Sequence, residues 1–176
     1  MELKIHPDSC APMVSAIDAQ IVRLDAHWLA LRWRIEGAGR LVVPRLAGQG
    51  RADGLWTTTC FELFVMRGEK AYTEFNLSPS EKWAAYDFAE SRGGMAKRPM
   101  PRGPDCAFRP GSRFAIFDAA IPRAALPALP WRYGLSAVIE EVGGAKSYWA
   151  LAHPPGKPDF HHPTCFAATL AAPSGS

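Results

Sequence analysis

The chain has 176 residues and a mass of 19.2 kDa, enough for one domain that buries roughly 70% of its extended-chain surface without metal or disulfide staples. Apolar residues make up 48% and charged residues 21%, which excludes wholesale disorder and coiled coil. The 20 basic and 17 acidic residues leave a net charge of +3, too balanced for a nucleic-acid partner to be read from charge.

Nothing approaches the run of about 18 apolar residues that spans a bilayer, and Met1 to Asp8 lacks the basic start and apolar run of a secretory signal. Cys10, Cys60, Cys106 and Cys165 form no CxxC pair and are too widely spaced for a zinc pattern. They are expected to be reduced thiols of a cytoplasmic protein.

Period-two patterning dominates the chain. Ala19 to Asp25 and the alternation of Leu29, Leu31, Trp33 and Ile35 predict two strands joined by a turn at Asp25-Ala26-His27. Leu41 to Pro44 reads as a short edge strand. Trp56 to Val65 is dense in β-branched and aromatic residues. Its alternation puts Phe61, Leu63 and Val65 on one face and Cys60, Glu62 and Phe64 on the other. The next strand places Tyr72, Glu74, Asn76 and Ser78 together, and Trp83 to Phe88 continues the meander.

Residues 89–112 carry eight prolines and glycines among five basic side chains and read as one long, mobile basic loop. Strands return at Arg113 to Asp118, at Tyr133 to Glu141, and at Ser147 to Ala152. A helical turn is expected near Ile121 to Leu126, limited by Pro127 and Pro130. A stiff proline-rich loop, His153 to Pro163, leads to a last strand at Cys165 to Leu170, and 171–176 reads as a frayed tail. About nine to ten short strands with regular turn signals predict an all-β, antiparallel β-sandwich, jelly-roll or immunoglobulin-like, forming one domain with its core over about 19–170.

No phosphate loop, GxSxG or HExxH is present. Glu62 and Glu74 lie on neighbouring strands, as the two carboxyls of a glycosidase do, or as carboxylates paired with basic groups on a solvated face. His153, Asp159, His161 and His162 are metal-ligand types in one loop, although adjacent histidines seldom reach one ion and the prolines already explain a stiff anchor for the last strand. Trp56, Trp83, Tyr86, Tyr148 and Trp149 accompany Glu74, Asn76 and Lys82. Sugars need this combination, since their apolar ring faces stack on indoles while their hydroxyls need polar partners. A buried core is the commoner place for a tryptophan, and the two readings stand even only for Trp56, which opens its strand beside three threonines.

Trp56 to Val65, followed by Tyr72-Thr73-Glu74-Phe75-Asn76-Leu77-Ser78-Pro79, resembles the central hairpin of DOMON-like domains, and within them the family 9 carbohydrate-binding modules. Glu62 occupies the acidic place of the first strand, and Glu74 and Asn76 the polar places of the second. Ser147 to Leu151 and the His153 to His162 stretch are similar to a standalone bacterial subgroup. The resemblance spans about 19–170 and implies a β-sandwich that binds a sugar or, in another branch, haem held by a Met and a His; Met66 and His161 or His162 are of those types. The expected function is non-catalytic binding of a carbohydrate or similar small polar metabolite, without cofactor, nucleic acid or membrane. The alternatives are a haem- or metal-binding DOMON-type protein, or a glycoside-acting hydrolase using Glu62 and Glu74. The expected ligand-binding residues are Trp56, Glu62, Glu74, Asn76, Lys82, Trp83, Trp149, Asp159 and His161, with no catalytic or metal-ligating residue assigned.

Overall fold

A computed structural model describes residues 1–9 and 12–172. Cys10 and the last four positions of the expected tail lie outside the described residues. Thirteen strands are present among the described residues, more than the nine or ten expected. They are β1 Glu2–Ile5, β2 Ala16–Leu24, β3 Trp28–Glu36, β4 Gly50–Arg51, β5 Cys60–Met66, β6 Tyr72–Leu77, β7 Lys82–Phe88, β8 Ala96–Lys97, β9 Asp105–Arg109, β10 Phe114–Pro122, β11 Trp131–Glu140, β12 Lys146–Ala150 and β13 Ala168–Leu170. Among the described residues the helical content is four three-residue 3-10 turns, one of them, Arg123–Ala125, at the place foreseen.

The all-β class is as expected, but the sheet organisation differs. Eleven strands follow one hydrogen-bonded path, β4-β7-β6-β5-β11-β12-β1-β2-β3-β10-β9. The short β1 bridges two arms: Glu2 and Leu3 pair with β2, while Lys4 and Ile5 pair with β12. The architecture is therefore one curled sheet rather than two separately bonded sheets. Pairing is antiparallel except at β4, whose two residues run parallel to β7.

The curl closes around the core. Phe61 of β5 stacks on Phe117 of β10 with centroids 4.3 Å apart, and Trp33 of β3 tilts against both rings. Alternation on β3, β5 and β10 sends Leu31, Trp33, Ile35, Leu63, Val65 and Ile121 into this same cluster. At the β2–β3 turn, Asp25 Oδ1 accepts from the backbone N–H groups of His27 and Trp28, both at 2.8 Å, an Asx device that fixes the hairpin.

The segment 89–112 is not one loop. Tyr86 on β7 pairs with Lys97 on β8, and β9 pairs with β10 over five residues, Phe108 opposite Phe117. Arg98 donates to Asp87 and to the Ala125 carbonyl, and Met100, Cys106 and Phe108 pack against the core. The prolines and glycines mark the turns between these pieces. Two other expected strands are shorter than foreseen. Of Leu41 to Pro44, only Leu41 forms a bridge, to Glu141, and the last strand keeps only Ala168–Leu170 because Pro163–Cys165 forms a 3-10 turn.

Gly134 on β11 faces this turn closely. A Cβ at Gly134 would lie 2.6 Å from the Cys165 carbonyl oxygen, a backbone atom that no rotamer can move aside. Gly134→Ala is expected to lower stability by about 1–3 kcal/mol, the usual cost of overpacking. An unchanged melting temperature in a thermal scan would show that the turn is free to shift.

Candidate ligand-binding site

The face of β7-β6-β5-β11 turned away from the core carries a different set of side chains. Register places Ala84, Asn76, Glu62 and Ser136 in one row across the four strands, with Tyr86, Glu74, Phe64 and Gly134 in the next. Small residues stand at both ends of the first row, on either side of its polar centre. Above the face lies a cavity of about 820 Å³ lined by Glu62, Glu74, Asn76, Tyr86, Phe88, Tyr148, Phe160 and His161, among others. Arg92 and Lys157 stand at its rim with Trp56.

The loop 153–163 forms one wall. Tyr72 joins it to the sheet: its hydroxyl lies 2.7 Å from His161 Nδ1 and accepts a hydrogen bond from the Arg92 N–H at 3.2 Å. With the phenol donating to Nδ1 while it accepts from Arg92, the imidazole hydrogen sits on Nε2. Nε2 lies 3.9 Å from Glu74 Oε2. Burial, seconded by the Arg92 charge, pulls the His161 pKa down to about 4, so the ring is neutral near pH 7. Burial likewise pushes the Tyr72 hydroxyl up to about 12.

The floor is buried and acidic. Asn76 Nδ2 donates to Glu74 Oε1 at 2.7 Å, and Ser136 Oγ donates to Glu62 Oε2 at 3.1 Å. Burial raises the Glu62 carboxyl well above its ordinary value, and the Glu74 charge raises it further. Burial pushes Glu74 up to about 7, against the lowering effects of Asn76 and Arg92. Asn76 is 1% exposed, yet its Oδ1 has no hydrogen-bond partner. A buried acceptor without a donor costs about 1–3 kcal/mol unless something else fills it. At the rim, Tyr86 donates to Asp53 at 2.6 Å, and Lys97 and Arg51 pair with the same carboxylate. That hydrogen bond and Lys97 hold Asp53 at about 2.

Of the expected ligand residues, the structure brings Trp56, Glu62, Glu74, Asn76 and His161 to the cavity. Trp56 sits on the 3-10 turn Leu55–Thr57, which starts at Gly54 in the left-handed region (φ 75°), and is 57% exposed. Asp159 supports the site indirectly, binding Arg92 at 2.8 Å and the His161 backbone N–H at 3.1 Å.

Three expected residues lie elsewhere. Trp83 and Trp149 have the opposite pleat parity and pack with the core, where the Trp149 indole donates to Ser147 Oγ. The side chains that face the cavity from those strands are Tyr86 and Tyr148. Lys82 has cavity parity but lies at the far end of β7 beside Gly50. The loop histidines also separate. His153 bonds the Lys4 carbonyl, and His162 Nδ1 accepts from Thr164 N–H. Among the described residues no group of three or more His, Cys, Asp or Glu is placed to hold a metal. Phe88, Arg92 and Ser136 were not foreseen. The β5–β6–β7 register was the signal for Phe88, and nothing local pointed to Arg92.

Fold and site together define an all-β protein with a walled, polar-floored cavity on the outer face of its sheet. The chain is similar in fold to a crystal structure described as a putative carbohydrate-binding protein from Bacteroides uniformis ATCC 8492, with a TM-score of 0.54 and 16% identity over 82% of this chain and 73% of that one. No family model matches the sequence, and no curated protein does. Among the described residues no helix is long and apolar enough to cross a membrane.

Proposed function

We propose that the cavity binds a small carbohydrate or closely related polar metabolite and that the protein is a non-catalytic ligand-binding domain. The unpaired Asn76 carbonyl carries this reading: it is a buried acceptor in the floor of the cavity, opposite Glu62 and two residues from Glu74. The exposed Trp56 indole at the rim supports it, because an apolar sugar face needs such a platform. The likeness in fold to the Bacteroides protein and the resemblance of the Glu62 and Glu74 strands to DOMON-like modules point the same way. The unpaired thiols of Cys60, Cys106 and Cys165 suit a reducing compartment such as the cytoplasm.

Titration against a glycan panel tests the proposal. Trp56→Ala is expected to weaken binding by about 1–3 kcal/mol, the cost of losing an aromatic anchor, while Lys82→Ala leaves it unchanged. If no glycan binds, or if Trp56→Ala binds as well as wild type, carbohydrate binding through this cavity is ruled out.

A second reading has its own observation. Glu62 and Glu74 are both raised, and Glu74, at about 7, holds a proton it can deliver near neutral pH. That is a requirement for glycoside hydrolysis. Turnover of chromogenic glycosides that disappears in Glu74→Gln would replace binding with catalysis.

A further inference from the structure

We infer that the floor of the cavity is built to receive a primary ammonium group, so that the favoured ligand is an amino sugar; this rests on the carbohydrate reading above.

The donor and acceptor inventory leads there. Asn76 spends its amide N–H on Glu74, which orients the side chain and leaves Oδ1 as a bare acceptor. Glu62 receives one hydrogen bond, from Ser136. Among the described residues, no Lys or Arg side chain lies within 4.0 Å of either carboxyl; the one basic group that does is His161, at 3.9 Å from Glu74 and neutral near pH 7. Of the rim cations, Arg92 is held by Asp159, and Lys157 stands in the exposed mouth. The floor is thus a cluster of acceptors with no cation in contact, Arg92 easing both carboxyls only from a distance, and buried carboxylates in that condition are costly.

A primary ammonium brings three donors and no acceptor. Asn76 Oδ1, Glu62 and Glu74 supply acceptors for all three. Glu62 and Asn76 are directly opposed across β5 and β6, and Glu74 lies two residues along the same face. Such neighbours have Cβ atoms about 5 and 7 Å apart, a span that a single nitrogen can bridge. A hydroxyl in its place offers one donor and also an acceptor, which the floor meets only while a carboxyl keeps its proton. The walls agree with the floor. Tyr86, Phe88, Tyr148 and Phe160 surround the space, and aromatic faces attract cations. When the ammonium seats, the proton held by the carboxyl pair leaves to solvent and the new ion pair replaces it. No covalent bond changes.

Isothermal titration at pH 6 with D-glucosamine, D-glucose, N-acetyl-D-glucosamine and ethanolamine tests the inference, in buffers of low and high ionisation enthalpy. Glucosamine is expected to bind at least tenfold more tightly than either neutral sugar, with an enthalpy that shifts between buffers by the amount proton release requires. Glu62→Gln and Glu74→Gln, close in shape to the native side chains, should erase that preference. Equal binding of all three sugars, or binding without proton release, overturns the ammonium site and leaves carbohydrate binding standing. Ethanolamine binding as tightly as glucosamine keeps the ammonium site and removes the sugar. Absence of binding by every probe overturns both.

Discussion

Across the acidic range, Glu74→Gln and His161→Gln should change stability in mirror-image ways. Glu74 has its folded-state pKa raised to about 7 from 4.5, so the native state holds the proton more tightly. Its contribution is complete below pH 4.5 and is lost as pH rises through 7. His161 is depressed to about 4 from 6.5. Its contribution is complete above pH 6.5 and is lost as pH falls through 4. At about 1.4 kcal/mol per unit, each amounts to about 3 kcal/mol. In wild type the two oppose one another between pH 4.5 and 6.5, with Glu62 adding to the Glu74 side. Relative to wild type, Glu74→Gln should therefore gain stability as pH rises, and His161→Gln as pH falls. Urea unfolding of the three proteins at several pH values measures both difference curves. Parallel curves would mean that neither group is desolvated in the folded protein.

Phe61→Ala is expected to cost about 3–5 kcal/mol, the upper range for a truncated core aromatic. Phe61 is fully buried and stacks on Phe117, so the cavity it leaves opens between the two arms of the sheet. Neither partner can collapse into it easily, because both are fixed in strand ladders on either side. Phe61→Leu keeps most of the volume and should cost less than half as much. Denaturant midpoints at constant slope are the measurement. A loss under about 1 kcal/mol, the range of mild core changes, would show that the arms are not packed through this ring.

The polar floor was legible because one parity of β5 is wholly large and apolar. With Phe61, Leu63 and Val65 assigned inward, Glu62 had to face the other way, and the adjacent strand brought Glu74 and Asn76 beside it. β7 and β12 defeated the same logic. Lys82–Phe88 and Lys146–Ala150 are packed on both faces, so apolar residues occupy both parities and the period carries no sign. Choosing Tyr86 over Trp83, and Tyr148 over Trp149, required the pairing register, a long-range property. The alternation of Cys106 and Phe108 in β9 was hidden for another reason: prolines and glycines on both sides made the segment read as a loop. Arg92 and Phe160 reach the cavity through tertiary contacts, with no local pattern to announce them. For His161 the sequence offered the residue type, and the Tyr72 hydroxyl supplied the place.

The position of β1 dictates an order of assembly. It is first in the chain but central in the sheet, and its seam with β12 joins residues 4 and 5 to residues 150 and 149. While the chain is being synthesised, β2 and β3 can form their hairpin at once, but the second edge of β1 stays bare until residue 150 has emerged. Such distant closure is slow, and an open strand edge invites pairing with another chain. The late arrival of Lys146–Ala150 thus sets the interval during which nascent molecules are most prone to stick to one another.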